Sequence, residues 1–159
     1  MTFHWKKAFL SNTTKIFQQN TEIGFLKYNF WGIVSKAEVE QKSYFFRRNF
    51  LNDSINILDK NQHQIGEIKF NIWRNGAILR LNHITYHWKP DNWLNTNFSL
   101  KGDDKSNIQY SLNNRFAVSN SDNFELILAG LYISKFKITN QALVILIMML
   151  PLFLKNLFI

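Results

Sequence analysis

Two histidines, His83 and His87, stand four residues apart, the spacing that sets two zinc ligands on one face of a helix. Their surroundings, LNHITYHW, alternate as a strand does. Along a strand that separation is about 13 Å, too far for one ion to bridge. His4 and His63 stand alone in the sequence. Acid–base catalysis needs paired carboxylates in one pocket. Asp53, Asp59, Asp91, Asp103, Asp104 and Asp122 fall in turn-like or strand-end sequence instead, where Asp bonds its own backbone. There is no G-x-S-x-G elbow, and six glycines are too sparse for a phosphate-cradling loop. Without cysteine the chain has no disulfide, thiolate nucleophile or thiolate metal site. These residues predict no catalytic group, no metal and no cofactor; the chain reads as a non-enzyme.

The cations carry more. The formal net charge is +8, which points to an anionic partner such as a membrane surface or nucleic acid. Arg47, Arg48, Lys69, Arg74 and Arg80 lie on or beside strand-like segments, with Trp73, Tyr86, Trp88 and Trp93 near them. Aromatics beside cations stack on bases or sit at lipid headgroups. The same residues also suit an ordinary wet strand face, their stems lying over apolar surface. The five cations are the candidate lipid-binding residues; nucleic acid is the less favoured partner.

The elements that must position them are short and strand-like. Twenty-five aromatic residues (fifteen Phe, five Trp, five Tyr) favour strand-rich packing over disorder. Strands are expected over residues 3–9, 15–19 and 22–31, with Gly24 marking a bulge or a close backbone approach. Residues 37–49 begin with weak helical character and end strand-like. The clearest alternation runs from Ser54 to Leu58 and from Ile65 to Ile72, followed by Asn75-Gly76, a strong two-residue hairpin signal. Beyond it the apolar phase moves from Ala77, Leu79 and Leu81 to Ile84, Tyr86 and Trp88, predicting a bulge at Asn82-His83. Strands are expected again over 93–101, 107–112 and 116–118. Phe124 to Lys137 reads as a strand buried on both faces.

One greasy segment closes the chain. From Ala142 to Leu154 there is no polar side chain, and Pro151 interrupts the run. As a helix it would cover about 20 Å, short of the roughly 30 Å of hydrocarbon a bilayer presents. It has no polar face, so it must be buried all round, in a protein core or in lipid. A core helix over about 139–155 is the favoured reading; a tail anchor and a partner-binding segment stay open. Many short strands around such a helix predict one domain over 1–159, mainly β, a closed antiparallel barrel.

This pattern resembles the tubby-like C-terminal fold of tubby proteins, phospholipid scramblases and LURP-one-related proteins. The resemblance is carried by Ile57-Leu58-Asp59 turning into Ile65-Gly66-Glu67-Ile68, and by Glu125 to Leu131 leading into the apolar run from Ala142. It implies a closed barrel wrapped around a hydrophobic C-terminal helix, and a binding or scaffolding module directed at anionic phospholipid. No phosphoinositide-binding residue of the family maps onto a position here, and Asp103-Asp104 is too small for a calcium cage. The expected protein is a cytoplasmic monomer, peripheral at the membrane. The alternatives are a tail-anchored protein with a cytoplasmic β domain and a nucleic-acid-binding barrel.

Overall fold

The computed structural model describes residues 1–7, 11–29, 33–51, 53–71, 76–92, 96–120 and 123–139. Alternating residues build β1 (Thr2–Lys7), β2 (Thr13–Gln18), β3 (Thr21–Lys27), β4 (Val34–Val39), β5 (Lys42–Asn49) and β6 (Ser54–Leu58). The series continues through β7 (Gln64–Phe70), β8 (Ala77–Leu81), β9 (Ile84–Pro90), β10 (Asn97–Gly102), β11 (Asn107–Ser111) and β12 (Phe116–Ser119). Each strand pairs antiparallel with its chain neighbours, and β1 pairs with β12, so the sheet closes into a barrel with no free edge. Inward positions alternate with outward ones: Phe3 and Trp5, Tyr44 and Phe46, Ile55 and Ile57, Tyr86 and Trp88 are all buried.

A barrel of eight strands is filled by its own side chains, and its diameter grows with strand number. Twelve strands leave room for a helix, and one fills it: α1, residues 124–139. Every residue from Leu126 to Ser134 is buried, so α1 is covered on all sides. Its contacts span the barrel wall. Phe124 meets Phe3 edge-on at 5.8 Å, Tyr132 stacks on Phe46 at 4.4 Å, and Phe136 stacks on Phe70 at 4.6 Å. The helix backbone comes close to the wall at Gly130, where an added Cβ would lie 2.2 Å from the Tyr110 hydroxyl. That hydroxyl donates to the Leu126 carbonyl at 2.9 Å, locking helix to wall.

The closed antiparallel barrel around an apolar helix is thus the expected architecture, but the helix is a different segment. The stretch Phe124 to Lys137, expected as a strand buried on both faces, is the core helix. An apolar run without clear periodicity does not distinguish the two states. Here the start of α1 is marked by Asn123, whose Oδ1 accepts from Leu126 N at 3.3 Å, and its length exceeds that of every strand in the barrel. The expected helix over 139–155 lies, apart from residue 139, outside the described residues.

Three local readings are also corrected. Residues 37–41 carry no helix: β4 runs to Val39, and Glu40 and Gln41 (φ 47° and 65°) form a tight turn into β5. Asn82-His83 is not a bulge but a two-residue hairpin turn, with both φ positive at 49° and 69°. Such a turn pairs Leu81 with Ile84, so both share a face and the apolar phase moves from odd to even numbers. The β7–β8 hairpin exists, but no two-residue turn at Asn75-Gly76 closes it. The Asn71 amide donates to the Gly76 carbonyl at 3.1 Å, closing a longer loop, and Gly76 has no positive φ. Gly24 behaves as expected: the β2–β3 register shifts beside it, and a Cβ there would lie 2.1 Å from the Glu38 carbonyl.

Candidate functional site

Up-and-down topology gives the barrel two unlike mouths. At one, α1 begins beside the ends of β4 and β12 and the starts of β1 and β5. Here Tyr44 donates to Glu125 at 2.8 Å, and Tyr86 lies 3.3 Å from Asp104. Burial, then the Glu125 carboxylate, pushes the Tyr44 phenol up. The Ser106 hydroxyl beside it holds the Asp104 carboxyl below its ordinary range. Glu22, Glu40, Asp59 and Asp103 lie on turns or strand ends at this mouth, which is therefore rich in carboxylates.

At the other mouth α1 ends, and cations gather. The Lys135 ammonium donates to Thr14 on β2. Burial, reinforced by Lys7 at the end of β1, lowers its pKa from 10.5 to about 8. Lys137, only 7% exposed, holds its ammonium 5.2 Å from the Trp88 ring centre and 5.6 Å from that of Phe98. Those two rings stack on each other at 4.4 Å. Burial lowers the pKa of Lys137 too. Arg48 points inward from β5, where it pairs across the sheet with Ile55. Its guanidinium lies 5.2 Å from the Phe136 ring and 3.9 Å from Asp53, while its buried Nε has no hydrogen-bond partner among the described residues. Burial raises the pKa of neighbouring Tyr28 from 10.0 to about 12, against the pull of Thr139 and Arg48. Between the upper ends of β7, β8 and β9 an open cleft of about 430 Å³ is lined by Lys69, Phe70, His87, Trp88, Lys89 and Pro90.

The five cations chosen from sequence do not form one cluster. Arg48 faces the lumen, but Arg47 beside it faces out and donates to Gln62 at 2.6 Å. Lys69 lines the cleft and pairs with Glu67 at 3.2 Å. Arg80 is exposed on the outer wall opposite Glu67. The ladder Arg47–Asn56–Glu67–Arg80 separates the two arginines by three strand spacings, about 14 Å. Arg74, Trp73 and Trp93 lie outside the described residues. Tyr86 and Trp88 are inward and buried, so neither offers a free face for stacking on a base. His83 sits in a turn and His87 on the outer wall of β9; among the described residues no three His, Asp or Glu side chains form a metal-sized group. The cations that sequence reasoning missed are Lys7, Lys135 and Lys137. Two lysines flanking Phe136 in a run otherwise almost wholly apolar were the available signal.

No protein-family model, curated protein or solved structure matches this chain. Among the described residues no helix is long and apolar enough to cross a membrane.

Proposed function

We propose that this protein is a non-enzymatic binding module that recognises anionic phospholipid headgroups through the mouth where α1 ends. The observation that carries this is the gathering of Lys7, Arg48, Lys69, Lys135 and Lys137 at that mouth, where Asp53 and Asp91 are outnumbered. At the other, Glu22, Glu40, Asp59, Asp103, Asp104 and Glu125 outnumber Lys42, Lys60 and Lys105. A molecule so polarised along its barrel axis turns its positive end toward a negative surface. Each Lys or Arg near an anionic leaflet is worth about 1 kcal/mol of attraction. The helix fits the same polarity: Glu125 sits in its first turn and the lysines in its last. The lumen is filled by α1 rather than left open as a substrate cavity, which favours surface recognition over chemistry. The resemblance to the tubby-like fold belongs to this reading, supported by a closed barrel around an apolar helix.

The test is flotation of the 159-residue chain with vesicles of phosphatidylcholine alone and of equimolar phosphatidylcholine and phosphatidylserine. Binding should require phosphatidylserine and weaken as salt is raised. Equal behaviour toward both vesicles would overturn the proposal. Tighter, steeply salt-dependent binding to single-stranded nucleic acid would move it to the alternative class.

A further inference from the structure

The same mouth also exposes apolar side chains. Phe50 and Leu51, adjacent at the tip of the β5–β6 hairpin, are 64% and 96% exposed. Ile33 joins them on the rim, its carbonyl accepting from the Arg48 amide at 2.8 Å. Ile138, near the end of α1, is half exposed. Single exposed apolar residues are ordinary on soluble proteins. Here they share one mouth, and a cation is built into the group: the Arg48 guanidinium lies 4.8 Å above the Phe50 ring.

We infer that the Phe50–Leu51 tip, with Ile33 beside it, is a wedge that enters the hydrocarbon boundary of an anionic bilayer while Arg48 stays at the headgroups. This rests on the reading of the mouth as a lipid-binding surface, and it deepens that reading from headgroup contact to partial insertion. Two observations select a bilayer as the occupant. Apolar tips backed by cations match a surface that is anionic above and apolar below. And α1 delivers the chain to this mouth at residue 139, three residues before the run from Ala142 to Leu154 that has no polar side chain. The tip is held in place by backbone geometry: Leu51 N donates to Asn49 Oδ1 at 3.1 Å, and Asp53 turns the chain with φ of 44°.

The chain contains no cysteine, so a single introduced one can be labelled cleanly. The 159-residue chain carrying Leu51→Cys, and separately Lys60→Cys in the β6–β7 turn at the opposite mouth, would bear an environment-sensitive fluorophore. Both would be mixed with equimolar phosphatidylcholine–phosphatidylserine vesicles. The label at 51 should shift to the blue and be quenched by brominated lipid, while the label at 60 stays aqueous. The unlabelled double variant Phe50→Ser, Leu51→Ser should lose roughly tenfold or more in vesicle partitioning, with its unfolding midpoint unchanged. Vesicle binding with an aqueous probe at 51 would overturn the wedge and leave the headgroup reading standing. Vesicle-induced shifts at both labels would overturn the wedge as well. Failure of either protein to bind any vesicle would overturn both.

Discussion

At Gly130 helix and wall meet with no room for a side chain. The Tyr110 hydroxyl occupies the space a side chain would need, and its ring carbon lies only 2.3 Å from where a Cβ would stand. Gly130→Ala should therefore lower stability by roughly 1–3 kcal/mol despite the better helix propensity of alanine. In a domain of this size each kcal/mol moves the melting temperature by about 2–4 °C, so thermal unfolding reads the effect directly. Lys135 makes a pH statement. At neutral pH it is charged in both the folded and the unfolded chain, and the folded state bears the cost of its burial. Between about pH 8 and 10.5 the unfolded chain keeps a proton that the folded barrel has shed, so stability rises with pH across that window. Tyr28 acts in the opposite sense above pH 10, where the unfolded phenol ionises and the buried one, raised to about 12, does not. Lys135→Met should raise stability at neutral pH and flatten the rise between about pH 8 and 10. Denaturant midpoints at both ends of that window check it; an unchanged slope would show that the lysine reaches water in the folded state.

At the scale of elements, the barrel depends on α1. Leu126, Ile127, Leu128, Leu131 and Ile133 are each at most 2% exposed, and full burial of such a side chain contributes roughly 1.5–3 kcal/mol. A chain ending before Asn123 should lose cooperative unfolding, because the wall would enclose an apolar void too large to collapse. A chain ending at residue 139 keeps every described contact and should retain a cooperative transition by circular dichroism. Two molten products would place essential core contacts beyond residue 139. A helix apolar all round must be buried all round, and α1 obeys that rule inside the barrel. Leu126–Ile133 and Ala142–Leu154 are both apolar, and composition alone favoured the longer run. What marks the first as a helix of the barrel is Asn123 as an N-cap and the fit of Gly130 against Tyr110, and the second is a tertiary fact.

At the scale of the whole molecule the charge is arranged, not merely large. A net +8 spread evenly would aid solubility and little else. Set along the barrel axis, with Arg48, Lys135 and Lys137 at one end and Glu125 and Asp104 at the other, it gives the protein a direction. Replacing both Lys7 and Arg48 by glutamine should weaken phosphatidylserine-dependent flotation roughly thirtyfold, at about 1 kcal/mol per charge. Replacing Arg47 and Arg80 on the outer wall should weaken it less. Equal losses from both pairs would mean that net charge alone drives binding.

The strand-rich class and the closed barrel around an apolar helix were legible in the residues alone. Period-two alternation, as in Ser54 to Leu58 and Ile65 to Phe70, is written residue by residue and needs no partner to be seen. Turn chemistry was partly legible: Gly24 announced its close approach, whereas Asn82-His83 concealed a two-residue turn because a phase change looks alike in a bulge and a hairpin. That residues 124–139 form a helix inside the barrel rather than a strand of its wall is a tertiary outcome, because it depends on the shape of the lumen. The tertiary structure alone decided that Arg48 faces in while Arg47 faces out, and that Lys7, Lys135 and Lys137 share a mouth. Those neighbours are far apart in the chain, and only closure of β1 on β12 around α1 brings them together.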